Sequence, residues 1–273
     1  MAAGQLGYDL IKELKKDINN EVYAPTSAEM NILDKDRVEE IITTLNPDYI
    51  FHCAAYTAVD TAEEECDKCY NINVLGTVNI VAAAKQVNAK VIYISTDYVF
   101  DGQKEGEYCP EDECKPINVY GHTKYQGERE VINQLHNYLI ARISWTFGIN
   151  GKNFIKTMLR LAENGRKEIS VVCDQIGSPS YTVDIVKALV ELKEEIGIYH
   201  ITNEDFCSWY ELAKFIFAES GYAIEVHPII SKEYNAKAKR PLNSKLNKGK
   251  IKNKLPHWKD GVKRFLKELK GEK

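Results

Sequence analysis

The chain has no apolar run near the ~18 residues that a membrane-spanning helix needs. Its start shows no basic stretch followed by an apolar one, so no secretory signal is read there. It lacks a strong charge of either sign: 36 Lys and Arg face 40 Asp and Glu, a net of -4. That balance excludes the broad basic field that holds nucleic acid. It also lacks a disulfide framework, because its 7 cysteines are odd in number and irregularly spaced. A reducing, cytoplasmic location is the expectation. Cys66 and Cys69 form a C-x-x-C, but no second pair stands at zinc-site spacing, and EEECDKCYNIN reads as helix. No metal site is therefore read from the residues. Repeats and low-complexity tracts are absent.

What is present is ordinary globular material: 273 residues, 44% hydrophobic and 28% charged. That length fits one large α/β domain, or a larger and a smaller lobe on one chain. Short apolar runs alternate with amphipathic stretches. Tyr49–Ala55, Lys90–Ser95 and Tyr138–Ser144 read as buried strands. Helical periods run over Asp34–Leu45, the stretch around Val74 to Ala82, and Val119–Gln134. Nearly continuous apolar strands separated by helices predict a parallel sheet covered on both faces, a doubly wound, Rossmann-like α/β core. Further helices are expected over Asn153–Glu163, Thr182–Glu195, Ser208–Ser220 and Lys259–Lys270. The reading places a dinucleotide-binding domain over 1–146 and a smaller substrate lobe over 147–273, with segments returning to the core.

Gly4-Gln5-Leu6-Gly7 reads as the end of a glycine-rich turn opening a helix, whose amides and dipole can hold a pyrophosphate. Met1-Ala2-Ala3 leaves no room for the strand that should precede such a turn, and the turn's first glycine is absent. A missing first strand, exposed neighbouring edges and weak cofactor binding are the expectations. An acid often follows the second strand of an NAD-specific fold. Here Glu21–Ser27 offers Thr26 and Ser27, so NADPH stays open beside NADH.

The strongest chemical signal is Tyr120-Gly121-His122-Thr123-Lys124, a Y-x-x-x-K. Four residues apart on a helix share a face. An ammonium near a phenol stabilises the phenolate, which predicts a lowered tyrosine pKa and a proton donor able to act near neutrality. Ser95-Thr96-Asp97 follows directly on KVIYIS. A hydroxyl at a strand's C-terminal end faces the ligand crevice of an open sheet and can polarise a carbonyl as hydride arrives.

With these residues in place, the chain resembles the extended short-chain dehydrogenase/reductase superfamily and, within it, the dTDP-4-dehydrorhamnose reductase family. The resemblance rests on GQLG (4–7), CAAYTAVDTAEEE (53–65), STDYVFDG (95–102), NVYGHTKYQGE (118–128), RISWTFG (142–148), GKNFIKTML (151–159), DQIGSPSYTVDI (174–185) and RPLNSKLN (240–247). It implies NADPH- or NADH-dependent reduction of the C4 ketone of a dTDP-4-dehydro sugar. Tyr120 would donate the proton, Lys124 would hold the ribose, and Thr96 would polarise the carbonyl. Gly4, Gln5 and Leu6 would touch the pyrophosphate, and Asn31 and Ile32 the adenine. Ala55, Tyr56 and Thr57 would line the cofactor, while Asp97 and Trp145 would contact the nucleotide-sugar. Arg240 is a candidate for the substrate diphosphate by its charge and fork geometry. Mg and a homodimer are further implications. The alternatives are another nucleotide-sugar reductase or epimerase, and a non-catalytic homologue like the regulatory subunit of methionine adenosyltransferase. Tyr98 follows Thr-Asp where dehydratases of the superfamily carry an acid, which argues against elimination chemistry.

Overall fold

The computed structural model describes residues 4–271. Helix α1 (Gln5–Leu14) starts from Gly4 in extended backbone. An irregular stretch leads to α2 (Lys35–Leu45), where the Asp34 carboxylate accepts from Arg37 N–H at 3.1 Å and caps the first turn. Then come β1 (Tyr49–His52), α3 (Val59–Ala62), α4 (Cys66–Tyr70), a π-helical turn at Asn71–Leu75, and α5 (Gly76–Gln86). Strand β2 (Lys90–Thr96) runs into a 3₁₀ turn, Asp97–Val99, and a loop to α6 (Val119–Gln134) and β3 (Tyr138–Ile143). The second half holds β4 (Thr146–Phe147), α7 (Phe154–Glu163), β5 (Glu168–Val172), β6 (Ile176–Gly177), β7 (Ser180–Tyr181) and α8 (Thr182–Glu191). It ends with β8 (Gly197–His200), β9 (Cys207–Ser208), α9 (Trp209–Ser220), β10 (Glu225–Ile229) and α10 (Trp258–Leu269).

The main sheet is parallel throughout, in the order β1-β2-β3-β8. Both its faces are covered, which is why β2 is apolar along most of its length rather than alternating. On one face Leu6 and Leu10 of α1 and Ile185 and Leu189 of α8 pack on Ile92 and Leu139. On the other, Val81 and Ala84 of α5 and Val131 of α6 pack on Val91, Tyr93 and Ile140. Helix α2 adds Val38 and Ile42 against Ile80 of α5. This is the doubly wound Rossmann-like core that the alternating pattern predicts.

A separate apolar cluster joins Phe147, Ile155, Met158, Leu212, Ile216 and Phe265 from β4, α7, α9 and α10. In the second half, β8 pairs with β3, and α8 packs on α1. No helix of the described residues is long and apolar enough to cross a membrane.

Three local expectations need correction. Residues 21–27 form no strand; Thr26 N–H and Oγ1 donate instead to Glu29 Oε2 at 2.7 and 2.8 Å, closing a local turn. The strand read over Tyr49–Ala55 ends at His52, and the helix read over Thr182–Glu195 ends at Glu191. The expectation of a missing first strand falls on residues 1–3, outside the described ones. Among the described residues, β1 is an edge strand paired only with β2.

Candidate active site

Helix α6 starts where Asn118 Oδ1 accepts from Gly121 N–H at 2.7 Å. It then runs unusually close to β2 and the turn after it. A Cβ placed on Gly121 would lie 2.1 Å from the Tyr98 carbonyl oxygen, and one on Gly127 would lie 2.2 Å from the Tyr93 hydroxyl. Only glycine permits this approach, and the approach brings Tyr120 and Lys124 to the C-terminal end of β2. Thr96, the last residue of that strand, is 5% exposed, and Lys124 is 2% exposed. Tyr120 is partly exposed and stacks edge-on against Tyr98, ring centroids 5.8 Å apart. Thr96 Oγ1 donates to Asp97 Oδ1 at 2.9 Å and accepts from Tyr98 N–H at 3.2 Å, and it lies close enough to Tyr120 to act on the phenol. The hydroxyl at the strand end and the helical Tyr–Lys pair, read separately from sequence, therefore meet in space.

The electrostatics differ from the sequence expectation. Burial pushes the Tyr120 phenol up, above its ordinary value, while the Thr96 hydroxyl opposes the shift. Lys124 is not what sets it. Its ammonium sits over the Tyr93 ring, 4.0 Å from the centroid, and burial brings its pKa down to about 7. No ion pair holds Lys124 among the described residues. Tyr120 thus stays protonated through neutral pH, as a proton donor must, and Lys124 is the group poised to titrate.

A residue not singled out in the sequence organises the neighbouring loop. Asn73, 1% exposed, lies in the π-helical turn. Its Oδ1 accepts from Tyr56 N–H at 2.8 Å, and its Nδ2 donates to Tyr56 O at 3.2 Å and to Thr123 Oγ1 at 3.0 Å. One amide side chain thereby clamps the loop after β1 to α6. The only signal for it is its place in NINVLG, opposite a strand-end loop, and that relation exists only in three dimensions.

Of the residues expected to line a dinucleotide, Ala55, Tyr56 and Thr57 lie just beyond the C-terminal end of β1. Gly4, in extended backbone, precedes α1 and supplies no side-chain cap, so a first-turn amide there can be offered to an anion. The Leu6 side chain is in the core, so only its backbone is available. Gln5 Nε2 donates to Thr146 O at 3.1 Å, and its Oε1 accepts from Asn153 Nδ2 at 2.9 Å, so this side chain ties α1 to the β4–α7 segment. Ile32 packs against α2 and α5, and Asn31 Oδ1 accepts from Leu33 N–H at 3.1 Å. A helix N-terminus without a side-chain cap, and a buried ammonium with no ion-pair partner among the described residues, suit the pyrophosphate and ribose of a nicotinamide dinucleotide.

Of the residues expected to meet the substrate, Asp97 is 3% exposed, and its Oδ2 has no hydrogen-bond partner among the described residues. Burial raises its carboxyl to about 6. Trp145 adopts a left-handed backbone (φ 45°), rare for a bulky residue. Its ring stacks on Trp209 at 3.6 Å and 8°, a partner the sequence did not reveal. Arg240 does not stand free: its guanidinium donates to Asp60 Oδ1 at 3.0 Å and Oδ2 at 2.7 Å. A groove of about 590 Å³ includes Cys66, Tyr70, His122 and Gln126 in its lining, but neither Tyr120, Lys124 nor Thr96. Cys66 is exposed, and Cys69 is buried against Thr123 at 3.2 Å. Among the described residues no group of three or more His, Cys, Asp or Glu is placed to hold a metal ion, so the expected Mg is not supported.

A parallel Rossmann-like sheet with a Tyr-x-x-x-Lys helix docked at a strand-end threonine defines an extended short-chain dehydrogenase/reductase. The family described as RmlD substrate binding domain matches residues 2–270. A dTDP-4-dehydrorhamnose reductase of Aggregatibacter actinomycetemcomitans is 41% identical, covering 98% of this chain and 96% of that protein. The spore coat polysaccharide biosynthesis protein SpsK of Bacillus subtilis is 38% identical, with 98% and 95% coverage. Among solved structures, a dTDP-4-dehydrorhamnose reductase of Bacillus anthracis in complex with NADP matches with TM-score 0.95 and 40% identity, over 98% of this chain and 96% of that one. A UDP-glucose 4-epimerase of Thermus thermophilus, at 17% identity and TM-score 0.82, shares the fold. The chain belongs to the dTDP-4-dehydrorhamnose reductase family.

Proposed function

We propose that this chain is an NAD(P)H-dependent oxidoreductase that reduces the C4 ketone of dTDP-4-dehydro-L-rhamnose to dTDP-L-rhamnose. The observation that carries the reading is the nearness of Thr96, at the C-terminal end of β2, to Tyr120, with Lys124 one turn further along α6 over Tyr93 of the same strand. The relatives' names supply the sugar, and the NADP complex of the Bacillus anthracis enzyme supports NADPH as the cofactor. When bound, the cofactor supplies the hydride.

The chain's own residues do the rest. The Tyr120 phenol donates to the ketone oxygen, and Thr96 Oγ1, which here donates to Asp97 Oδ1 at 2.9 Å, turns its proton to the same oxygen when substrate binds. Charge that develops there is met by preorganised donors. The phenol then gives its proton to that oxygen, completing the alcohol. Lys124 holds the ribose hydroxyls. Gly4, Gln5 and Leu6 offer backbone amides to the pyrophosphate, Ala55, Tyr56 and Thr57 line the cofactor, and Asn31 and Ile32 border the adenine. Asp97 and Trp145 meet the sugar nucleotide, and Arg240 its diphosphate once Asp60 yields. Tyr98, standing where elimination would need an acid, packs on Tyr120 instead.

The proposal also includes the division near residue 146 into a dinucleotide-binding part and a substrate lobe, a cytoplasmic location, and a homodimer that sedimentation would reveal. The deciding experiment follows NAD(P)H absorbance with dTDP-4-dehydrorhamnose. Tyr120→Phe should lower turnover by about 10²–10⁴-fold while cofactor binding persists. Near-normal turnover in that variant would remove Tyr120 from the chemistry.

A further inference from the structure

Helix α6 carries a third polar residue, and a second charged one, on the face of Tyr120 and Lys124. Glu128 follows Lys124 by four positions and Tyr120 by eight, so the three form one stripe. Glu128 is fully buried at 0% exposure, and its partner Arg142 on β3 is 2% exposed. The pairing is bidentate: Arg142 Nε donates to Oε1 at 2.9 Å, and Nη2 to Oε2 at 2.7 Å. Ser95 Oγ donates to Oε1 at 2.5 Å. Arg142 is further fixed by Pro110 O at 3.1 Å, Cys114 Sγ at 3.2 Å, and the Phe100 ring.

Ser95 and Arg142 are register partners on β2 and β3, and Ser95 immediately precedes Thr96. One carboxylate therefore grips both strands at the end where the site lies. A buried ion pair is a poor source of stability, since apolar replacements of similar volume are often neutral or better. Its placement points to another role. The Lys124 ammonium lies over Tyr93 of β2, and the other titratable groups whose charge bears on it are His52 of β1, Cys53 just after it and Cys69 of α4. Burial lowers the His52 pKa to about 3, so it is neutral, and raises both thiols, so they are uncharged too. Glu128 is the carboxylate whose charge acts on Lys124, and it acts to raise its pKa.

We propose that Glu128, locked by Arg142 and Ser95, is a positioning residue for this site: its buried negative charge sustains the Lys124 ammonium, and its bonds hold α6 against the strand end that carries Thr96. This rests on the proposed role of Lys124, so its primary readout does not require ketosugar turnover. NADPH binding to the full chain is followed by fluorescence across pH, with turnover measured in parallel. In the wild type, binding should weaken as pH rises through the Lys124 titration. Glu128→Gln should move that midpoint down by about one pH unit or more, because the lysine loses its facing charge. Glu128→Asp, which keeps the charge, should leave the midpoint near the wild-type position while turnover falls. A neutral pair, Glu128→Gln with Arg142→Met, avoids an unpaired buried guanidinium and should show the same downward midpoint. If the single variant does not fold, the neutral pair decides. Coincident midpoints for wild type and neutral pair, or an Asp variant displaced as far as Gln, would overturn the proposal. A wild type that binds NADPH with this pH dependence but does not turn over the ketosugar would instead overturn the proposed reaction.

Discussion

Adding a single methyl group at Gly121 tests the link between helix packing and chemistry. A Cβ there would lie 2.1 Å from the Tyr98 carbonyl oxygen, 2.9 Å from its carbon and 3.2 Å from Asn118 Oδ1. Ordinary contact needs roughly 3.5 Å, so α6 or the 3₁₀ turn must yield by about 1 Å. The nearest atoms are backbone at the end of a buried strand, so no flexible side chain can move aside. Overpacking of this kind typically costs about 1–3 kcal/mol, and the upper end is expected here. In a chain of this size, about 3 kcal/mol corresponds to a Tm loss of roughly 6–12 °C. The displaced residue next door is Tyr120, and a misplacement of about 1 Å can cost on the order of 10²-fold in rate. Gly121→Ala should therefore lower both Tm, by calorimetry, and kcat, by NAD(P)H absorbance. His122→Ala, on the exposed face of the same helix, should change neither appreciably. Wild-type Tm and kcat in Gly121→Ala would refute the argument that this close approach assembles the site.

Asp97 is an acid whose folded pKa is raised, so the fold favours its protonated form: that stability is full below about 3.8 and is lost as pH rises through about 6. Asp97→Asn should therefore raise Tm at neutral pH, by roughly 2–3 kcal/mol in unfolding free energy, and do little at acid pH, while substrate KM rises; an unchanged neutral Tm would count against it. Arg264 Nη1 and Nη2 donate to the Asp184 carboxylate at 3.0 and 2.6 Å, and Asp184 is 5% exposed. Arg264→Met should destabilise by roughly 2–3 kcal/mol, less than a fully buried pair because the arginine is 35% exposed; denaturant unfolding measures it, and a loss well under 1 kcal/mol would show that the other donor to this carboxylate, Asn203 Nδ2 at 2.8 Å, satisfies it alone.

Much of the core was legible because its signals are local. The helix Val119–Gln134 follows from its helical period, and β2 and β3 from apolar runs. Residues 21–27 misled because their β-prone residues are satisfied by a local Thr26–Glu29 turn. Arg240 was read as a free cation because nothing in the sequence brings Asp60 to it across 180 positions. Trp209 and Asn73 were invisible for the same reason: each acts through a neighbour brought close by the fold. The expected downward push on Tyr120 assumed that shared helix spacing puts the ammonium beside the phenol, whereas packing places Lys124 over Tyr93.

The sequence by itself determined the alternation of strands and helices, the strand-end hydroxyl, and the shared helix face of Tyr120 and Lys124, because period, capping and residue type act over a few positions. Only the tertiary structure decided which charges meet, which are buried unpaired, and how each titrates, because desolvation and Coulomb interactions depend on distances in space. Thr96 next to Tyr120, Lys124 over Tyr93, and Glu128 locked between β2 and β3 are all consequences of how closely α6 lies on the sheet.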